Sequence, residues 1–88
     1  MPRLRLTRRA EDHIDRLLPE LRDAVLNALI RLRTDPREAG KPLLGRMRGT
    51  WVARVGSYRI LYTIEGDEAS LTVVVRAVLH RSQAYRRG

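Results

Sequence analysis

The sequence predicts an α+β fold: an N-terminal strand, a helical hairpin, three antiparallel strands and a short C-terminal tail or helix, in one domain over residues 1–88. Three observations carry that expectation. Arg3-Leu4-Arg5-Leu6-Thr7 alternates polar and apolar residues, as a half-buried strand does. Leu21, Ala24, Val25, Ala28, Leu29 and Leu32 recur at the spacing of one helical face. Two β-rich runs, Thr50 to Val55 and Tyr58 to Ile64, meet at Gly56-Ser57, and a third follows from Leu71 to Leu79.

Each element has its own signals. Thr7 is placed to cap a first helix, with Glu11 and Asp12 near the positive end of its dipole. Ala10, Ile14, Leu17 and Leu18 form that helix's apolar stripe. Pro19 suits the first turn of a second helix, and Asp35-Pro36 ends it. Arg16, Arg22, Arg31 and Arg33 read as the solvated face of this structural hairpin. Residues 37–49 contain Gly40, Pro42, Gly45 and Gly49 and read as a loop carrying Lys41, Arg46 and Arg48.

Gly56-Ser57 suits a type II′ hairpin turn, which sets the strand register. Val55 then faces Tyr58, Arg54 faces Arg59, Ala53 faces Ile60, and Trp51 faces Tyr62. By alternation, Trp51, Ala53, Val55, Tyr58, Ile60 and Tyr62 share a face that can bury against the helices. Arg54 and Arg59 share the other face, flanked by Val52 and Leu61. Gly66-Asp67 is expected to close the second hairpin. The β-branched run from Leu71 to Leu79 suits a central strand buried on both faces. Arg76 interrupts that run on a side no tight turn fixes, the side of Arg54 and Arg59 being one option.

Composition narrows the function. Lys and Arg total 18 against 10 acids, a formal net charge of +8, and Lys41 is the sole lysine. The stretch from Lys41 to Ile64 holds five cations and no acid. A basic half of this kind suggests a polyanionic partner. There is no cysteine, which excludes a disulfide scaffold, a thiolate zinc site and a cysteine nucleophile. No His/Asp/Glu cluster has metal-ligand spacing, so neither a metal nor another cofactor is expected. No apolar run approaches the ~18 residues of a membrane span, and no signal-peptide pattern is present. The expectation is a cytoplasmic protein without membrane contact.

Two arginines directly opposite each other repel. An anion between them would repay that cost, because guanidinium groups fork onto phosphate oxygens. His80 and Tyr85 are the candidate proton-handling groups near the basic half. His13, beside Asp12 and Asp15, reads as a surface histidine.

The run Lys41-Pro42-Leu43 … Gly49-Thr50-Trp51-Val52-Ala53-Arg54-Val55-Gly56-Ser57-Tyr58-Arg59-Ile60-Leu61-Tyr62 resembles the RelE/ParE toxin superfamily. So does the closing His80-Arg81-x-x-x-Tyr85-Arg86. The resemblance implies the toxin of a type II toxin–antitoxin system, silenced by a cognate acidic antitoxin in a hetero-oligomer. RelE-like members cleave mRNA, usually on the ribosome. ParE-like members poison DNA gyrase and are not nucleases. Arg59 matches the arginine that RelE-like toxins place on the scissile phosphate, and Arg54 a basic residue of the preceding strand. Tyr85 matches a C-terminal tyrosine at the cut site, with His80 or Arg81 in the neighbouring segment. Val52 stands where many members carry a second basic residue, and the hairpin holds no glutamate of the kind some relatives use as general base.

The chemistry of a metal-independent endoribonuclease fits these residues. The ribose 2′-hydroxyl attacks the adjacent phosphorus, which needs a proton acceptor, a proton donor and positive charge. Arg59 and Arg54 would supply the charge. His80 is the expected proton carrier, because imidazole titrates near neutral pH. Tyr85 would stack a base or orient the sugar. Lys41, Arg46, Arg48 and Arg76 would bind the RNA backbone. This reading expects Arg54, Arg59, His80 and Tyr85 to converge on one pocket. A ParE-like gyrase inhibitor and a non-catalytic RNA-binding module are the alternatives.

Overall fold

The structure, a computed structural model, describes residues 2–84. In chain order these form β1 (Arg3–Leu6), α1 (Arg8–Asp15), α2 (Pro19–Thr34), α3 (Pro36–Ala39), β2 (Lys41–Pro42), a 3-10 turn (Gly45–Met47), β3 (Trp51–Val55), β4 (Tyr58–Asp67), β5 (Ser70–His80) and α4 (Arg81–Ala84). The strands make one sheet in the order β1-β5-β4-β3-β2. β1 runs parallel to β5, and the other pairs are antiparallel. The helices between β1 and the hairpins provide the long crossover that a parallel pair needs.

The local signals act as their chemistry requires. The Thr7 hydroxyl accepts the Ala10 amide at 3.1 Å, capping α1, and donates to the Arg76 carbonyl at 3.2 Å. Pro19 opens α2, where its missing N–H costs no helical bond. α2 buries Val25, Leu29 and Leu32, while Ala24 stays exposed at the margin of the stripe. Both long helices lie on one sheet face. Their apolar residues close on Ala53, Ile60, Tyr62, Val73, Val75 and Val78 to form the main core.

The Gly56-Ser57 hairpin has the expected register, with Arg54 directly opposite Arg59 and Trp51 opposite Tyr62. Gly56 has φ 57°, and Ser57 does not share a positive φ, as a type II′ turn requires. The second reversal lies further along than expected. β4 continues through Gly66 to Asp67, and the chain turns at Glu68-Ala69. The Asp67 carboxylate organises that turn by accepting the Ala69 and Ser70 amides at 3.1 and 3.0 Å.

Two features depart from the regular pattern. Leu61 pairs with Ala77 and Tyr62 with Val75, so Arg76 is an extra residue, a bulge in β5. The expected loop over residues 37–49 contains α3, β2 and the 3-10 turn. Its Leu43 and Met47 pack, with Leu79, on Val52, Leu61 and Ala77, forming a small second core on the other sheet face. Gly40 is needed where this segment crosses the sheet, because a Cβ there would meet the Tyr62 hydroxyl and the Val52 carbonyl. The same hydroxyl donates to the Pro36 carbonyl at 2.7 Å, anchoring the start of α3. Among the described residues, no helix is long and apolar enough to cross a membrane.

Candidate functional site

The tight hairpin places two cations side by side on the face away from the helices. Arg54 is exposed at the outer strand, while Arg59, on the inner strand, is only 6% exposed. Arg59 is the sole charged residue buried among those described. Its guanidinium turns back on the hairpin, with Nη1 donating to the Gly56 and Tyr58 carbonyls at 3.0 and 2.8 Å. Its Nε is buried with no hydrogen-bond partner. No carboxylate pairs with it among the described residues. A buried cation with an unsatisfied donor and no carboxylate partner is costly to hold, a cost that a bound anion would offset.

That anion has a place to sit. A cleft of about 500 Å³ is lined by Glu38, Lys41, Leu43, Val52, Arg54 and Arg59, together with Ala39, Gly40 and Pro42. Lys41 reaches it because β2 pairs Lys41 with Val52, two residues before Arg54 on the same face. Three cations and one carboxylate therefore border a single opening. Burial strengthens the field of Arg59, the one of these groups held away from bulk water.

The other expected site residues are distributed differently. Arg46 and Arg48 are exposed on and after the 3-10 turn and do not line the cleft. Arg76 lies on the Arg54–Arg59 side of the sheet but reaches away from the cleft. Its Nε donates to Thr63 Oγ1 at 3.1 Å, and its Nη2 is 2.8 Å from Glu65. Arg81 opens α4, and its amide donates to the Ser57 carbonyl at 2.7 Å. This holds its backbone at the hairpin tip, where Arg59 also bonds. Tyr85 lies outside the described residues.

His80 requires a correction. It pairs with Tyr58, on the helix-facing side of the sheet, not with Arg59. Its ring meets the Tyr58 ring edge-on at 5.5 Å and lines a separate cavity of about 290 Å³ with His13 and Arg16. Its Nδ1 accepts the Ser82 amide at 3.2 Å. The bulge at Arg76 causes this placement. Unbroken alternation from Val75 would put His80 on the same sheet face as Arg59, and one inserted residue reverses every later side chain. The expected convergence of His80 with Arg54 and Arg59 therefore does not occur.

His13 is also more than a surface residue. β1 ends opposite Val75, leaving the outward amide of Val78 without a strand partner. The His13 Nδ1 accepts that amide at 3.1 Å. Burial lowers the His13 pKa below its ordinary value, helped by Arg9 and Arg16 and opposed by Asp12. Glu38 is the residue that the motif reading missed. Its one sequence signal is position, as the last acid before the acid-free stretch that begins at Lys41.

The five-stranded sheet with a buried arginine lining a basic cleft has known counterparts. Residues 4–85 match the family described as the ParE toxin of the type II toxin–antitoxin system parDE. Toxin RelG of Mycobacterium tuberculosis is 40% identical over 85 residues, covering 96% of this chain and 95% of that one. The toxin–antitoxin complex RelBE2 of the same organism superposes with a TM-score of 0.79 at 38% identity, covering 90% of this chain and 96% of that one. The intact Escherichia coli RelBE toxin–antitoxin complex gives 0.71 at 25% identity, covering 89% and 94%. The chain belongs to the RelE/ParE superfamily of type II toxins.

Proposed function

We propose that this toxin is a metal-independent endoribonuclease that cleaves mRNA on the translating ribosome in the cytoplasm and is held silent by a cognate acidic antitoxin. The observation that carries this reading is Arg59, buried with a free Nε beside Arg54 in a cleft that Lys41 also lines. Pre-positioned charge of this kind is the largest single contribution to many phosphoryl and acyl transfers. The solved RelBE2 and RelBE complexes, each a toxin with its antitoxin, support the expectation of a toxin–antitoxin hetero-oligomer.

The test uses purified protein freed of antitoxin, translating ribosomes and a defined mRNA. New RNA 5′ ends should appear with the parental protein and vanish with Arg59→Ala, while Arg54→Ala slows their appearance. A second reading, a gyrase inhibitor, is favoured by the ParE description of the matching family and by the apolar Val52 in the cleft. Double-strand DNA breaks with intact mRNA would select it.

A further inference from the structure

We infer that Glu38 and Lys41 are the proton carriers of the Arg54–Arg59 cleft, Glu38 accepting the proton of the 2′-hydroxyl and Lys41 supplying one to the leaving 5′-oxygen. The inference rests on the ribonuclease reading and supplies the acid and base which that reading lacks with His80 on the far side of the sheet.

The ionisable groups lining the cleft, among the described residues, are Glu38, Lys41, Arg54 and Arg59. Guanidinium holds its proton above a pKa of about 12 and cannot act as a base. Lysine is a cation whose proton can be given up, and it is the only such residue in the chain. Among the described residues, Glu38 is left as the one acceptor. It sits near the end of α3, whose first turn is tied to the sheet by the Tyr62 hydroxyl on the Pro36 carbonyl. Two residues later, Gly40 lies against Tyr62 and Val52, and Lys41 then pairs with Val52. The short segment that carries both groups is therefore docked at two points, one on each of the strands that carry the arginines.

The step balances without metal or oxidant. A bond forms between the 2′-oxygen and phosphorus, and the bond from phosphorus to the 5′-oxygen breaks. The 2′-proton passes to the Glu38 carboxylate, and a Lys41 proton passes to the 5′-oxygen. The products are a 2′,3′-cyclic phosphate and a 5′-hydroxyl, and proton exchange with water restores both side chains. Arg54 and Arg59 hold the charge of the pentavalent phosphorus throughout.

Single-turnover cleavage on translating ribosomes tests it. Glu38 is exposed, so Glu38→Gln should keep the parental Tm. Removing a general base should slow cleavage about 100-fold, with ribosome binding unchanged. The acidic limb of the parental pH–rate profile should disappear. Lys41→Ala should show a similar loss, and RNA with sulfur replacing the scissile 5′-oxygen should restore its rate, because a thiolate leaves without a proton. Glu38→Gln at the parental rate, or a slow Glu38→Gln with an unchanged pH profile, overturns the base. A slow Lys41→Ala that sulfur does not rescue overturns the acid. In each of those cases an inactive Arg59→Ala leaves the ribonuclease reading standing. A parental protein that yields no RNA ends overturns that reading and the pair with it.

Discussion

Replacing Arg59 by methionine should stabilise the fold and abolish its function. The guanidinium gains two bonds, to the Gly56 and Tyr58 carbonyls, each of about 1.5–3 kcal/mol for a charged donor. Three costs oppose them. Desolvating a cation with no carboxylate partner costs several kcal/mol, on the order of 3–5. The buried Nε without a partner adds about 1–3 kcal/mol. The facing Arg54 adds up to about 1 kcal/mol of like-charge repulsion. Methionine keeps much of the volume and packs beside Leu79, the cross-strand neighbour. The balance favours Arg59→Met by about 1–2 kcal/mol, and each kcal/mol moves the Tm of a domain this size by roughly 4–8 °C. Thermal unfolding of antitoxin-free protein, followed by circular dichroism, measures the shift. Adding a short RNA should raise the Tm of the parental protein and leave that of Arg59→Met unchanged, since a ligand stabilises only the state that binds it. A Tm for Arg59→Met more than about 5 °C below the parental value would refute the reasoning. It would show that the guanidinium is held for the hairpin and not for an anion.

Tyr62 and His13 each hold a buried or half-buried contact that can be probed. Tyr62→Phe removes the bond that anchors α3 and leaves the Pro36 carbonyl unsatisfied, so stability should fall by about 1–3 kcal/mol in urea unfolding. Cleavage should weaken with it, because α3 carries Glu38. The Tyr62 phenol, pushed up to about 12 by burial, should stay un-ionised in an absorbance titration up to pH 11. His13 has a folded pKa below its unfolded value, so the native state binds fewer protons than the unfolded chain. The stability it contributes should be present above about pH 6.5 and lost as pH falls through its lowered folded pKa. Urea midpoints measured from pH 8 down to pH 5 should therefore decline in the parental protein and decline less in His13→Phe, and equal slopes would count against the Val78 contact.

The parts of this fold that the sequence makes legible are those governed by local rules. The Arg54–Arg59 pairing follows from one two-residue turn and a period of two. Thr7 and Pro19 mark helix starts because an orphan amide or a missing one can be read from a single residue. The face of His80 is not legible, because it depends on whether Arg76 is counted within the ladder or bulged from it. That choice is made by tertiary pairing on both sides of β5, where Thr7 bonds the Arg76 carbonyl and Glu65 holds its guanidinium. β2 is hidden for a similar reason. Two residues, one of them proline, have no periodicity, and their strand character exists only through β3. Glu38 escapes notice because its neighbourhood in space, a cleft under the hairpin, is assembled by residues far along the chain.

The small apolar cluster beneath the basic segment has an energetic consequence for recognition. Leu43 and Met47, pressed on Val52, Leu61 and Ala77, tether a stretch that glycine and proline would otherwise leave loose. The chain entropy of that stretch, about 1–2 kcal/mol for each residue's backbone, is surrendered on folding and not on meeting a ligand. On the ribonuclease reading, a phosphate would then enter a ready-made cradle, with no loop to capture or reorder. Arrival should be paced by long-range attraction to the basic surface, and so by ionic strength more than by any conformational step.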